Sequence, residues 1–508
     1  MRDRRTALLL FACLSCIYVL TSSGRPRTPD EYMTLFQAES LIERGSTAVP
    51  QSLGTQNFYG KFDLRGQPRS PYPAGQAILA VPFVWLGRDA FARLPGVPQD
   101  TTTLFYLEGF AATLSSATFA AAAMAVFFLL LRRLELSTRD SLLLTSCVAF
   151  GTLLFPYSGY FFSEPLSALL LLSATYVLFG GERAPTRTQA VTAGIVLGFA
   201  GWVRPTMFLA VAIFALAVMV RGGAHRWKVA AVTAGLPAIS AFGYLAWNKH
   251  LFGRALEFGY PETAEFGKHL NTFQTPFYVG LTGFLASPGK SIFLYSPLLV
   301  LAIFGIRSLW RRDHGLATVC AGLPALYLLF YMRYTQWEGG YCNGPRYLLP
   351  SVIVCCLALA PLIQLKTQSK ARPMRRFIVT LAVLGFAVQV VTYSTSFLED
   401  QVGGGGYYDA RFNYRLSYNP IVTQTQRFLA YWSGKPAALG LGFDRWFLFL
   451  HKLGIDAGTL VVIAILPLTL AIWSFWILRR IWYASELETG KLALAPDPQR
   501  SDARSSHL

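Results

Sequence analysis

Carboxylates stand at two places in the chain where they could do chemistry. Asp30 and Glu31 lie a few residues past an N-terminal apolar run, and Glu164 lies between apolar segments, directly before Pro165. A carboxylate among such neighbours is costly unless it has a partner or a task. Transfer of a group from a phosphate carrier to a hydroxyl can use such a residue as a general base. We therefore take Asp30, Glu31 and Glu164 as candidate catalytic residues.

The same residues also fit structural roles. Thr28, Pro29 and Glu31 form the pattern of a helix N-terminus, in which Thr28 is the N-cap and the Glu31 side chain returns to the cap. Asp30 is not needed for this capping box, so the catalytic role goes first to Asp30. Glu164 has its own structural interpretation, as an exposed glutamate at the start of a helix.

Four basic residues could bind the phosphate of a lipid: Lys61, Arg69, Arg204 and Arg346. Arginine presents a planar fork of donors that matches phosphate, and a residue at a membrane boundary can reach a headgroup. Arg204 and Arg346 each adjoin a proline and stand at the end of an apolar run. Arginines at such ends also extend to the interface without any further function, and the pattern alone does not separate the two interpretations.

Motifs for metals and nucleotides do not accompany these residues. The sequence has no HExxH, P-loop or GxSxG motif and no zinc-spaced set of cysteines and histidines. We therefore predict no metal ligands among the candidate residues and no nucleotide cofactor. A divalent cation stays an option that the sequence does not decide.

The composition shows what must position these residues. Of the 508 residues, 53% are hydrophobic and only 14% are charged, which is too apolar for a large soluble enzyme. The formal net charge of +18 could suggest a nucleic-acid partner. The basic residues instead form short clusters between apolar runs, which is the positive-inside pattern of a membrane protein. We predict a polytopic protein in contact with membrane lipid and with no nucleic acid.

Apolar runs that could cross a bilayer recur along the chain. Segment 74–87 is short and broken by Pro82, so we predict that it lies at the interface. Segment 190–220 is too long for one span and carries Arg204 at its middle, so we predict a hairpin with Arg204 at the turn. The result is twelve spans, which comprise this hairpin and the runs 7–23, 104–131, 140–156, 165–180, 228–247, 291–308, 315–332, 346–364, 377–396 and 457–478.

These choices place the short basic loops on the cytoplasmic side together with both termini. The long loops 24–103, 248–290 and 397–456 then lie outside. Making the opposite choice at both ambiguous segments would move two basic loops, near residues 132–139 and 183–187, to the outside. That alternative stays open, as does cleavage of the first run as a signal peptide.

We divide the chain into three parts. Residues 1–250 form a catalytic transmembrane module that includes loop 24–103. Residues 251–484 form a second transmembrane module with loops 248–290 and 397–456 at its outer side. The polar residues 485–508 form a tail that we predict to be disordered and cytoplasmic.

Several loose motifs in residues 1–365 resemble the bacterial GT-C glycosyltransferases, in particular those of the protein O-mannosyltransferase and aminoarabinose transferase type. The resemblance is carried by residues 29–32, 70–75, 155–158, 163–165, 198–205, 283–290, 295–297, 337–340 and 344–350. It implies an all-α polytopic membrane protein, in which a GT-C-like bundle of about 12 transmembrane helices has interfacial helices in its first periplasmic loop.

The resemblance also implies an activity. A sugar would pass from a polyprenyl-phosphate carrier to a glycan, lipid or protein acceptor at the periplasmic face of the bacterial inner membrane. Asp30 matches the acidic position of the first outer loop, and Glu164 matches a second acidic position where relatives often have Asp. Lys61 or Arg69 matches a basic residue that contacts the carrier phosphate. Two other classes remain as alternatives, a lipid or solute transporter and a non-catalytic subunit of an envelope-assembly machine.

Overall fold

A computed structural model of the chain describes residues 2–55, 58–181, 184–260, 273–364, 368–399, 413–416, 419–435 and 442–494. Almost all of its regular structure is helical, and two short strands form an antiparallel hairpin. The all-α class predicted from the sequence is confirmed.

The first half of the chain contains the first long helices and the long loop between α1 and α5. Its elements are α1 (Arg2–Thr21), α2 (Pro29–Arg44), α3 (Gln51–Gly54), β1 (Lys61–Phe62), β2 (Pro68–Arg69), α4 (Gly75–Trp85), α5 (Thr101–Arg133), α6 (Thr138–Gly151), α7 (Leu154–Tyr157), α8 (Glu164–Phe179), α9 (Arg187–Val203), α10 (Ala210–Arg221) and α11 (Arg226–Phe252).

The second half begins with short helices of a second long loop and ends with a long helix. Its elements are α12 (Phe277–Ala286), α13 (Ile292–Tyr295), α14 (Leu298–Trp310), α15 (His314–Tyr331), α16 (Leu349–Cys355), α17 (Ala360–Ile363), α18 (Gln368–Ser394), α19 (Pro420–Trp432), α20 (Trp446–Lys452) and α21 (Ala457–Leu494). Helix α21 runs into segment 485–508, for which we predicted disorder, and residues 495–508 lie outside the described residues.

A helix lies at each of the twelve predicted spans. Seven are long and apolar enough to cross a membrane, by length and composition. Three further predicted spans coincide with shorter apolar helices, at Glu164–Phe179, Pro205–Arg221 and Leu298–Trp310. The other two predicted spans contain α6 and α9, which have 14 and 17 residues. The protein is therefore a multi-pass membrane protein.

The two ambiguous segments form the elements that we predicted. Helix α4 has 11 residues, which gives a length of roughly 16 Å, too short for a bilayer core of about 30 Å. It packs between α2 and α5 through Ala77, Ala80 and Val84. At the second segment, α9 ends at Val203, and Arg204 has an extended backbone before the chain turns into α10. The predicted hairpin with Arg204 at its turn is confirmed.

Ionic contacts join the helix ends that carry the short basic loops. Arg132 at the end of α5 lies 2.9 Å from Asp3 in α1, and Arg221 at the end of α10 lies 3.3 Å from Asp313, which precedes α15. A third such pair joins α18 to α6, where Arg375 lies 2.8 Å from Asp140. The basic loops linked by these pairs therefore lie together at one end of the bundle, which we call the basic end.

Candidate active site

Asp30 is the second residue of α2, and the start of this helix is fixed by the buried Glu31. One oxygen of Glu31 accepts hydrogen bonds from the backbone N–H groups of Arg27 at 2.9 Å and Thr28 at 3.2 Å. The other oxygen accepts from the N–H of Phe161 at 3.0 Å. Glu31 therefore caps α2, as the structural interpretation predicted, and it also ties α2 to the segment that leads into α8.

Both oxygens of the Asp30 carboxylate have partners. Oδ2 lies 2.8 Å from Nη1 of Arg346, and the Tyr72 hydroxyl donates a hydrogen bond to Oδ1 at 2.6 Å. Burial raises the pKa of Tyr72 well above its usual value, and the charge of Asp30 adds to this effect. Tyr72 therefore stays protonated and acts as the donor. Arg346 begins the turn before α16, so this contact joins two distant parts of the chain.

Glu164 and Arg204 form a second ion pair. Glu164 is the first residue of α8, and Arg204 stands in the break after α9. Their side chains meet at 2.8 Å, and the Glu164 side chain is only 2% exposed. The α9–α10 hairpin explains why an arginine is tolerated here, since the turn brings its charge to the carboxylate at the start of the neighbouring helix.

One aromatic ring connects the two pairs. The guanidinium carbon of Arg204 lies 4.7 Å from the centre of the Tyr347 ring, and that of Arg346 lies 5.2 Å from it. Cations are attracted to such rings at these distances, and the attraction is stronger when water is excluded. Tyr347 thus holds two guanidinium groups near one another in spite of their like charge.

The two ion pairs line one cavity with a volume of about 480 Å³. Asp30, Glu164, Arg204 and Arg346 all contribute to its wall, and most of the remaining lining is aromatic and apolar. Helix α15 shows where the cavity lies in the bundle. Its far end, at Tyr331, lines the cavity, whereas its first turn follows the Asp313 pair of the basic end. An 18-residue helix is about 27 Å long, so the cavity lies at the opposite end, which we call the cavity end.

The other three predicted site residues lie elsewhere. Glu31 is fully buried and is not part of the described cavity lining. Lys61 and Arg69 lie on the β1–β2 hairpin, outside the lining that the described residues form. Lys61 lies 3.3 Å from Glu257, and Arg69 lies 2.8 Å from Asp63. Two of the four predicted phosphate-binding residues are thus brought together with Asp30 and Glu164, and two are not.

Solved structures to which the chain is similar include ArnT from Cupriavidus metallidurans bound to undecaprenyl phosphate, with 14% identity and a TM-score of 0.48. The apo state of the same protein gives 13% identity and a TM-score of 0.47. Both likenesses cover 92% of this chain and 76% of ArnT. An oligosaccharyltransferase from Archaeoglobus fulgidus, tethered with an acceptor peptide, gives 12% identity and a TM-score of 0.40 over 85% of this chain and 57% of that one.

ArnT and the oligosaccharyltransferase are GT-C glycosyltransferases, the type that the sequence motifs resemble. No protein-family model matches the chain, and no curated protein matches it. Because the identities and scores are low, the function of this chain has to be argued from its own side chains.

Two residues near the cavity were missed in the sequence. Tyr72 is one, and its signal was its position between two prolines in a segment that resembles the family. Lys290 is the other, with only 3% of its surface exposed. Its ammonium group donates to the carbonyl oxygens of Cys342 at 3.1 Å and Gly344 at 3.2 Å. Lys290 therefore holds the segment that leads directly into Arg346.

The backbone beside Arg346 also needs a glycine. Gly339 has a φ of +90°, which is strained for any other residue. A Cβ atom built there would lie 3.0 Å from Cγ of Arg346. The segment before Arg346 is thus shaped by a glycine on one side and by Lys290 on the other.

Metal ligands do not cluster in the parts of the chain that the structure describes. There, no three His, Cys, Asp or Glu side chains are grouped so that they could hold a metal ion. A role for a divalent cation is not part of the function proposed below.

Proposed function

We propose that this protein is a membrane glycosyltransferase that transfers a sugar from a polyprenyl-phosphate carrier to an acceptor. The observation that carries the proposal is the pairing of Asp30 with Arg346 and of Glu164 with Arg204 on the wall of one cavity. The four residues come from separate parts of the chain. A purely structural pair has no need of a shared cavity, whereas a reaction site needs both a base and a place for the leaving group.

The two arginines supply the place for the leaving group. When a sugar leaves its carrier, the bond between the anomeric carbon and a phosphate oxygen breaks, and the electron pair stays on the phosphate. Guanidinium groups stabilise the developing charge, most strongly where water is excluded. Arg204 and Arg346 flank Tyr347 and both line the cavity, so one phosphate can contact both.

Asp30 supplies the base. In a single displacement, a hydroxyl or amine of the acceptor attacks the anomeric carbon and loses its proton to a carboxylate. Asp30 is the more accessible of the two cavity carboxylates, with 26% of its side chain exposed. Tyr72 and the Glu31 cap hold it in position. Glu164, which is nearly buried, orients Arg204 and can accept a hydrogen bond from a sugar hydroxyl.

The cavity suits a sugar on a lipid carrier. Sites for small molecules have volumes of roughly 300–1,000 Å³ and are mostly apolar with a few polar groups. The cavity of about 480 Å³ falls in this range, and its aromatic walls can pack against the apolar faces of a sugar ring. The basic end lies opposite, and basic loops are typical of the cytoplasmic side. We therefore place the reaction at the periplasmic face of the bacterial inner membrane.

Asp30→Asn tests the proposal in cells that depend on this protein for a glycoconjugate. We expect transfer to fall by about 10²–10⁴-fold, which is the usual contribution of a general base. The polyprenyl-phosphate sugar should accumulate, and mass spectrometry of extracted lipids measures it. Asp89→Asn is the matched control, because Asp89 lies in the same outer loop and pairs with Arg93 at the surface. Unchanged glycoconjugate in the Asp30→Asn cells contradicts the proposal and favours a transporter or an assembly subunit.

A further inference from the structure

The partners of Asp30 raise a difficulty for a base. One oxygen of its carboxylate lies 2.8 Å from the guanidinium of Arg346, and the other accepts the Tyr72 hydrogen bond at 2.6 Å. With both oxygens engaged, the carboxylate has neither oxygen free to contact the acceptor group that it has to deprotonate. The same arginine is needed for the carrier phosphate. Asp30 and the phosphate therefore compete for Arg346.

Charge decides what happens when the donor enters. The two arginines and the two carboxylates of the cavity sum to zero, so the donor phosphodiester adds one uncompensated negative charge. A phosphate oxygen can take the place of a carboxylate oxygen on a guanidinium, since both match its fork of donors. The phosphate can also contact two guanidiniums at once, which neither Asp30 nor Glu164 does among the ion pairs of the described residues.

Unsatisfied atoms support an exchange of partners. The described residues include several buried side-chain atoms that have no hydrogen-bond partner, and two of these atoms, Nε of Arg346 and Oε2 of Glu164, belong to the ion pairs of the cavity. Arg346 is 7% exposed and Glu164 is 1% exposed, and both line the cavity. A buried polar atom without a partner is costly in a native protein and often marks a functional site. The phosphate supplies an acceptor for the guanidinium, and a sugar hydroxyl supplies a donor for the carboxylate.

Resting on the glycosyltransferase function proposed above, we propose that the donor phosphate activates the base. It displaces Asp30 from Arg346, and the carboxylate that is released then accepts the proton of the acceptor. The acceptor oxygen or nitrogen forms a bond to the anomeric carbon as the bond from that carbon to the phosphate breaks. The product phosphate keeps the electron pair and gains one negative charge, and Asp30 loses one, so the total charge of the site is unchanged.

The exchange has a consequence for binding that distinguishes it from a fixed site. If Asp30 competes with the phosphate, its removal must strengthen the binding of the carrier. We expect the full-length Asp30→Asn protein, purified in detergent, to bind undecaprenyl phosphate about fivefold more tightly than the wild type. Glu164→Gln should act in the same direction through Arg204. Arg346→Gln should weaken binding by about tenfold or more.

Two controls separate the possible failures. Undecaprenol, which lacks the phosphate, should bind equally to the wild type and to Asp30→Asn, and Asp89→Asn should bind undecaprenyl phosphate as the wild type does. Equal or weaker binding of undecaprenyl phosphate by both Asp30→Asn and Glu164→Gln overturns the exchange and leaves the transferase function standing. A wild-type protein that binds undecaprenyl phosphate no better than undecaprenol overturns both. Melting temperatures show whether each variant is folded. Asp30→Asn and Glu164→Gln each test independently whether a carboxylate competes with the phosphate for an arginine.

Discussion

Ion pairs occur at both ends of the bundle, but their surroundings differ. At the basic end, the Asp3 side chain is 42% exposed and that of its partner Arg132 is 24% exposed. At the cavity end, Arg204 is 14% exposed and its partner Glu164 is 2% exposed. Charges in water gain little from pairing, whereas a buried charge that loses its partner is strongly destabilising. The same kind of contact therefore joins helices at one end and holds a buried carboxylate of the proposed active site at the other.

The surplus of charge also differs between the ends. The loops of the basic end carry further arginines next to the paired ones, as at Arg133 and Arg376, and such an excess of positive charge is typical of the cytoplasmic side. The cavity contains two arginines and two carboxylates in its described lining, so its own charges cancel. Orientation needs an excess of one sign, whereas a site that receives an anion in a water-poor cavity needs cations that stay neutralised until the anion arrives.

The largest expected effect comes from breaking one pair at each end. Arg204→Met leaves the buried Glu164 side chain without its partner, so we expect a loss of about 3–5 kcal/mol in stability and a loss of measurable transfer. Asp3→Asn leaves Arg132, which is partly exposed to water, so its effect should stay within about 1 kcal/mol. Thermal unfolding in detergent and a transfer assay measure both.

The double variant Arg204→Met/Glu164→Met sharpens the same comparison. Removing both charges should restore most of the stability, because a buried pair is replaced by apolar side chains of similar size. Transfer should stay lost, because the phosphate has lost a guanidinium. If the double variant regained activity, Arg204 would be a structural residue only.

A smaller effect is expected from Lys290, which acts through Arg346. Lys290→Met removes the buried ammonium group that donates to the carbonyl oxygens of Cys342 and Gly344, and the loss of these two hydrogen bonds should cost about 1–3 kcal/mol. The segment before Arg346 should then shift, so the KM for the donor should rise by about tenfold while kcat changes less. Lys290→Gln keeps a side-chain donor group, so its KM for the donor should lie between those of the wild type and Lys290→Met. A lower melting temperature with an unchanged KM would show that Lys290 only stabilises the fold.

The sequence allowed the helices and turns to be predicted better than the long-range contacts between side chains. Arg204 could be placed at a turn because a guanidinium is costly in the middle of an apolar helix. The Glu31 cap could be predicted because all of its capping partners lie within four residues. Lys61 is different, since its carboxylate partner, Glu257, is 196 residues away. Nothing local showed that Lys61 would pair with this residue and lie outside the described cavity lining.

Lys290 was missed for a related reason. Its acceptors are backbone carbonyl oxygens more than fifty residues further along the chain. A backbone carbonyl has no signature in the sequence, so a lysine that binds one looks like any other lysine. The convergence of Asp30 with Arg346 is a similar case, because it depends on how α2 packs against the turn before α16. Long-range packing decided which of the candidate residues met.

Cysteine labelling should have the smallest effect on the protein, and it tests which end of the bundle faces the cytoplasm. The two ends must face opposite sides of the membrane, and the positive-inside pattern puts the basic end in the cytoplasm. Leu64 in the first outer loop is 70% exposed, and Trp227 at the start of α11, on the basic-end side, is also 70% exposed. Leu64→Cys should react with a membrane-impermeant maleimide in intact cells, whereas Trp227→Cys should react only after lysis.

The native cysteines give this experiment a low background, because all seven are buried. Trp432→Cys in the last outer loop, where Trp432 is 77% exposed, should react from outside as Leu64→Cys does. All three variants should keep wild-type transfer, since these side chains lie outside the described cavity lining. Reaction of Trp227→Cys in intact cells would place the basic end outside. The cavity would then open to the cytoplasm, where nucleotide-sugar donors are present, and the argument for a lipid-linked donor at the periplasmic face would lose its basis.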